Sequence, residues 1–208
     1  MKKGLFIVLD GGEGSGKTTL IKSTKEFFGE GLIVTREPGG TEYAEEIREL
    51  ILKSRFAKQA DAKTLFALFW AARADHLKNL IIPALEQDKI VVTDRFDSST
   101  YAYQIIAQGA SELKDFFWQT RDFYLGGTKP NLYVNLDIDP KIGLIRKSKQ
   151  AGEEINHFDD RDLDFHYRMR DGLKEFLSYV PHEVIDGSQS ESEVWKSFKN
   201  IIETRING

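Results

Sequence analysis

Residues 4 to 19 constrain this chain more than any other stretch: Gly4-Leu-Phe-Ile-Val-Leu-Asp10, then Gly11-Gly-Glu-Gly-Ser-Gly-Lys-Thr18-Thr19. The apolar run from Leu5 to Leu9 predicts a strand buried on both faces. The glycine-rich segment after it fits G-x-x-x-x-G-K-[ST], with Gly11, Gly16, Lys17 and Thr18 in the fixed places. Glycine suits such a loop because backbone N–H groups can surround a phosphate only where no Cβ intervenes and positive φ is allowed. A helix starting near Lys17 would aim its unpaired N–H groups and positive dipole end at the same anion. Lys17 is then expected to bridge the β- and γ-phosphates of a nucleotide, and the Thr18 hydroxyl to hold Mg²⁺.

A chain of 208 residues is long enough for one α/β domain with a full core and a mobile appendage. Its net charge of −4 argues against a nucleic acid as main partner, since such proteins usually carry a basic excess. Without cysteine there is no disulfide, no thiolate nucleophile and no Cys-built metal site. None of the four histidines (76, 157, 166, 182) pairs at metal spacing, so they read as surface or structural residues. The short apolar stretch after Met1-Lys-Lys-Gly is neither a signal peptide nor a membrane span, which leads to the expectation of a soluble cytoplasmic protein.

Strands and helices alternate along the rest of the chain. Leu20 to Phe28 reads as helix and Leu32 to Thr35 as a second strand, which delivers Arg36-Glu-Pro-Gly-Gly-Thr41. A Pro-Gly-Gly loop after a strand lies where open α/β sheets bind ligands, so Arg36 is placed to clamp a second phosphate. Thr41 is expected to N-cap a helix from Glu42 to Lys53. Asp61 to Gln87 is the longest helical stretch, with Pro83 expected to kink or restart it. Within it Phe66, Phe69 and Arg73 share a side, and an arginine in an aromatic stripe suits an aromatic base: a ring to stack on, a guanidinium for a ring carbonyl. Lys89 to Asp94 reads as the third strand, and an aspartate at such a strand end usually serves Mg²⁺ beside a phosphate loop. Arg95 extends into the same pocket, and Ser98 to Gln104 opens a helix rich in donors. Ser111 to Tyr124 is a further helix, whose Phe116, Phe117 and Phe123 are available for the core or a partner chain.

A fourth strand, Leu132 to Asp137, leads to a helix capped by Asp139 and Pro140 that carries Arg146, Lys147 and Lys149. The segment from Arg146 to Arg161 is polar and poor in apolar anchors, and reads as a lid with a basic stem. Helix Leu163 to Tyr179, strand Glu183 to Asp186 and helix Glu193 to Ile206 close the chain. The alternation predicts a single doubly wound α/β domain: a five-stranded parallel sheet flanked by helices, with a lid over about 146–161. Guanine-reading N-K-x-D and the acidic pair of motor ATPases are both missing. Several arginines around one mouth fit transfer between two phosphorylated ligands, which needs in-line positioning and positive charge rather than covalent help.

The phosphate loop with Asp10, the Arg36-Glu-Pro-Gly-Gly-Thr41 loop, Leu68-Phe-Trp-Ala-Ala-Arg73, and Asp94-Arg95 with Ser99 to Gln104 together resemble the thymidylate kinase family, in its order and over nearly the whole chain. The resemblance implies ATP + dTMP → ADP + dTDP with Mg²⁺, in a homodimer, within dTTP synthesis. It implies that Gly11, Gly12, Glu13, Gly14, Ser15, Gly16, Lys17, Thr18 and Thr19 hold the ATP phosphates, with Thr18 and Asp94 at the metal. Arg36 and Arg95 would bind the dTMP phosphate, and Glu13 would lie near the 3′-hydroxyl. Phe69 would stack on thymine, Arg73 reach its O4, Thr100 and Gln104 read the base edge, and Tyr103 crowd the sugar 2′ position. Asp186 to Gln189 matches the loop that cups adenine, and Arg146 the basic start of the lid. The catalytic set expected on this basis is Lys17, Asp94, Arg95 and Arg146. Gly14 stands where some members place a loop arginine, so the lid should supply that charge, yet it offers Lys147, Lys149 and His157 after Arg146. The alternatives are another nucleoside or nucleoside monophosphate kinase on this fold, or a nucleotide-dependent switch ATPase.

Overall fold

The computed structural model describes residues 4–149, 158 and 161–207; His157 and most of the expected lid lie outside them. Five strands, β1 (Leu5–Gly11), β2 (Leu32–Arg36), β3 (Ile90–Asp94), β4 (Leu132–Asp137) and β5 (His182–Asp186), form one sheet in the order β2-β3-β1-β4-β5. Every pairing is parallel, and the register sets Leu9 beside Asp94 and Asp94 beside Arg36. The ends of β1, β2 and β3 therefore meet along one rim. Such a rim, outside the carboxyl ends of parallel strands, is where open sheets bind ligands.

Alternation along β1 builds two cores. Phe6 and Val8 face one side, with Val91, Tyr133, Phe66, Trp70, Phe96, Phe117 and Phe176. Ile7 and Leu9 face the other, against Leu20 of α1 (Lys17–Phe28) and Val194, Phe198 and Ile202 of α9 (Glu191–Asn207). Each such side chain contributes on the order of 1.5–3 kcal/mol by leaving water, so the sheet holds the rim rigid. Phe66 belongs to this core, packed on Trp70 and Phe117, rather than to a ligand-facing stripe.

The remaining helices are α2 (Glu42–Leu52), α3 (Ala62–His76), α4 (Ile82–Glu86), α5 (Asp97–Thr100), α6 (Lys114–Leu125), α7 (Pro140–Ser148) and α8 (Leu163–Leu177). A π-helical turn, Leu77–Ile81, joins α3 to α4, with Pro83 just inside the latter. Proline has no N–H to offer the preceding turn, and the widened turn absorbs that loss. A second π-helical stretch, Tyr101–Ala107, continues α5 and carries Tyr103 and Gln104. Gly172 of α8 packs straight onto this stretch: a Cβ there would meet the Ala102 Cα and the Ile106 Cβ at 2.9 Å. Thr41 occupies the N-cap position of α2, but its hydroxyl makes no cap bond and donates to Asp75 instead. Asp139 does cap α7, accepting from the Lys141 N–H at 2.9 Å.

Candidate active site

The phosphate loop spans the turn from β1 into α1. Lys17 is buried and folded back over the loop, its Nζ donating to the Gly11 and Gly12 carbonyls, each at 2.9 Å. Burial lowers its pKa, and the positive charge of Arg95 adds to that, against the pull of Glu13, Asp94 and Asp10. Thr18 is exposed at the start of α1, and Thr19 half-buried. Gly14 has φ +64°, and a Cβ there would lie 2.0 Å from the Gly143 carbonyl oxygen. A Cβ on Gly143 would in turn meet the Glu13 carbonyl at 2.1 Å. Helix α7 thus rests bare backbone on bare backbone against the loop.

On the β2–β3 side lies a cleft walled by Phe69, Arg73, Asp94, Gln104 and Phe158. Arg73 is 1% exposed and held from two directions: its Nε donates to Glu37 Oε2 at 2.8 Å and its Nη2 to Thr100 Oγ1 at 3.1 Å. Its charge also lies over the rings of Trp70 and Phe96, at 4.5 and 5.0 Å. Glu37 is itself fixed by the ring of His76, Nδ1 3.1 Å from its Oε1, while Nε2 meets Thr35 Oγ1 at 2.7 Å. Among the described residues the third guanidinium nitrogen, Nη1, has no partner, and neither amide atom of the fully buried Gln104 has one. Leaving such a group unpaired costs about 1–3 kcal/mol. Both residues line the same cleft, where a flat, polar-edged ligand would supply the missing bonds.

Asp94 has the same character. Its Oδ1 is buried without a partner among the described residues, and burial raises its pKa, against the charges of Lys17 and Arg95. An unsatisfied carboxylate oxygen next to a phosphate loop fits a cation held jointly with phosphate. No group of three or more acidic or histidine side chains gathers at metal spacing among the described residues.

Arg95, Glu13 and Lys147 meet between the loop and the cleft. Arg95 has φ +64°, a conformation rare outside glycine that sites retain when the surroundings over-determine it. Its guanidinium reaches Glu13 Oε1 at 2.9 Å, Ser99 Oγ at 3.1 Å and Asp10 Oδ1 at 3.2 Å. The Tyr103 hydroxyl donates to the same Glu13 oxygen at 3.1 Å, and Lys147 Nζ donates to the other at 2.7 Å. Burial works to raise the Glu13 pKa, but Arg95, Lys17 and Lys147 outweigh it and hold the carboxyl well below its ordinary value. Arg36, by contrast, lies half-exposed at the mouth, its Nη2 2.9 Å from both oxygens of Glu45.

The opposite flank of the loop forms a second hollow. Gly14, Ser15, Gly16 and Thr19 face Gly187, Gln189 and Arg146 across it. Arg146 Nη1 donates to the Gly187 carbonyl at 2.6 Å and Nη2 to that of Ser188 at 3.1 Å, so this guanidinium braces the loop after β5.

The structure therefore gathers Glu13, Lys17, Arg73, Asp94, Arg95, Thr100, Tyr103 and Gln104 around one centre, with Phe69 on the cleft wall and Arg36 and Arg146 turned to partners at its two edges. Sequence reasoning missed Asp10 as the anchor of the Ser98 and Ser99 hydroxyls, at 2.6 and 2.9 Å. It also missed Glu37 as the counter-charge of Arg73, and Arg48, which lines the cleft and donates to the Pro38 carbonyl at 2.9 Å. For Glu37 there was a signal, since a buried arginine requires an acid.

Residues 9–197 match the family model described as Thymidylate kinase. The chain belongs to the thymidylate kinase family. It is 38% identical over 207 residues to the thymidylate kinase of Clostridium novyi (strain NT), covering 97% of this chain and 100% of that one. It is 39% identical over 211 residues to the thymidylate kinase of Geobacillus sp. (strain WCH70), covering 99% of each. Among solved structures, thymidylate kinase from Ehrlichia chaffeensis superposes with a TM-score of 0.75 at 28% identity, over 96% of this chain and 99% of that chain. As a member of the thymidylate kinase family this chain is an enzyme, a phosphotransferase of nucleotide synthesis.

Proposed function

We infer that the enzyme transfers the γ-phosphoryl group of ATP to dTMP, giving ADP and dTDP for dTTP synthesis. The observation that carries this reading is the set of unsatisfied polar atoms, Arg73 Nη1 and the Gln104 amide, buried in a cleft beside a phosphate loop. Thymine offers carbonyl oxygens to the guanidinium nitrogen and one N–H to the amide oxygen, while Phe69 supplies a ring for its face. Thr100 serves the same edge by fixing Arg73, and Tyr103 narrows the space beside the sugar. Arg95, assisted by Arg36 once it leaves Glu45, is placed for the dTMP phosphate, and Glu13 for the 3′-hydroxyl. Gly11 to Thr19 receives the ATP phosphates, on which Lys17 exchanges its loop carbonyls for phosphate oxygens.

In the transfer, an oxygen of the dTMP phosphate dianion forms a bond to the γ-phosphorus. The bond from that phosphorus to the β–γ bridging oxygen breaks, and its electron pair leaves on ADP. No proton needs to move, so the protein's part is alignment and charge. Thr18 and Asp94 are the residues to hold Mg²⁺, which when bound supplies neutralising charge to the phosphate oxygens. Arg146 contributes from the donor side, bracing the loop at Gly187 and Ser188 that is to receive adenine.

We further propose that the chain works as one domain with a lid over about 146–161, as a cytoplasmic homodimer. Phe116 and Phe123 of α6 are 54% and 80% exposed, an apolar face that suits a second copy. No described helix is long and apolar enough to cross a membrane. The deciding experiment measures ADP formation from ATP and Mg²⁺ with each nucleoside monophosphate in turn. Turnover with dTMP and little with dAMP, dGMP or dCMP is expected. Equal turnover without an acceptor would replace the reading with an ATPase or switch, and preference for another monophosphate would move the error to Arg73 and Gln104.

A further inference from the structure

Helix α7 presents its cations to different places. Arg146 and Lys149 line the donor flank, and Arg146 is spent on the carbonyls of Gly187 and Ser188. Lys147 points the other way and reaches Glu13 Oε2 at 2.7 Å, with both side chains 14% exposed. Glu13 walls the acceptor cleft, whereas the next residues of the loop, Gly14 to Gly16, wall the donor flank. Lys147 is therefore tied to the loop residue that stands between the two.

The placement has a mechanical cause. Gly143 lies on the phosphate loop at backbone contact, against Glu13 and Gly14. Lys147 is four residues on, hence on the same face of the helix. The contact that leaves no room for a side chain at position 14 is thus the one that delivers an ammonium group to its neighbour. The Glu13 carboxylate thus holds Lys147 on one oxygen and Arg95 on the other.

We propose that Lys147, rather than Arg146, is the cation of α7 that neutralises the phosphoryl group in transit. This rests on the transfer reaction inferred above. Lys147 Nζ exchanges Glu13 for an oxygen of the γ-phosphoryl group as its bond to the bridging oxygen breaks and that to the dTMP oxygen forms; Lys147 itself neither gains nor loses a proton.

The test compares the wild type with Lys147→Ala, Lys147→Met, Lys147→Arg and, as control, Lys141→Ala on the exposed side of α7. Loss of one preorganised charge donor typically costs about 10²–10³ in kcat. Lys147→Ala and Lys147→Met are expected to lose that much, with KM for ATP and dTMP within about threefold, Lys147→Arg to recover most of it, and Lys141→Ala to match the wild type. Calorimetry gives an independent readout: affinity for ADP with aluminium fluoride and dTMP should fall about a hundredfold, and that for ADP alone stay constant. Lys147→Met keeps the aliphatic stem, so it decides the matter where Lys147→Ala unfolds. A loss confined to KM for dTMP would overturn the proposal in favour of a lysine that only positions Glu13, and an unchanged kcat would overturn it outright. A wild type with no dTMP-dependent turnover would overturn the reaction itself; an active wild type with indifferent Lys147 variants would overturn this inference alone.

Discussion

The acceptor cleft carries its chemistry on buried side chains that are already held, whereas the donor flank is made largely of backbone. Arg73, Glu37, His76 and Gln104 are all at most 5% exposed. On the other flank the partners of Arg146 are main-chain carbonyls, and the loop offers glycines and small hydroxyls. A preset array of buried polar groups discriminates strongly, because a wrong base leaves them unpaired. Backbone cradles bind phosphate well and read little else. The difference places selectivity on the acceptor.

The largest effect should come where the two sides meet. Lys17→Ala is expected to reduce ADP formation more than about a thousandfold, more than loss of one ordinary charge donor, while circular dichroism stays native; retained turnover would remove Lys17 from the reaction. Next is Arg73→Met, which leaves buried Glu37 with the His76 ring but without its guanidinium partner. Breaking a buried pair from one side costs about 3–5 kcal/mol, readable by urea unfolding. The KM for dTMP should rise about a hundredfold with that for ATP steady, and an equal rise in both would dissolve the contrast.

Gln104→Leu sharpens it differently. Removing an unsatisfied amide should raise stability by about 1 kcal/mol and yet raise the KM for dTMP about tenfold. A loss of stability would mean the amide is paired within the protein. Arg146→Ala should cost about 1 kcal/mol through its two carbonyl bonds, seen as a several-fold rise in KM for ATP alone. Smallest is the acid response of Glu13. Its carboxyl is held below its ordinary 4.5, so its stabilising share is complete above that pH and fades as pH falls towards the folded value. The melting temperature of Glu13→Gln should therefore fall less steeply below pH 4.5 than that of the wild type, and parallel curves would show that Glu13 gains nothing from its three cations.

Much of this was written locally. Apolar runs marked β1 to β4, while β5 showed only as Val184-Ile185 between acids; the spacing of Gly11, Gly16, Lys17 and Thr18 marked the loop, because each is set by neighbours in the chain. The π-helical stretches at Leu77–Ile81 and Tyr101–Ala107 were not legible, since a register change of one residue alters no composition. Arg73 read as a ligand-facing residue, but its hold by Glu37, 36 positions away, depends on how the strand ends align. Phe66 and Phe69 are three apart, and which of them faces the cleft depends on where α3 settles against α6. Arg146 and Lys147 differ by about 100° around α7, and only the seating of that helix on the loop says which one points inward.

That seating also limits how this protein can change over generations. Positions 14 and 143 touch so closely that neither accepts a side chain while the other stays in place. A loop arginine cannot enter at position 14 by one substitution without lifting the helix that carries Lys147. Moving that charge from helix to loop takes coordinated change at both positions, so the two glycines vary together or not at all.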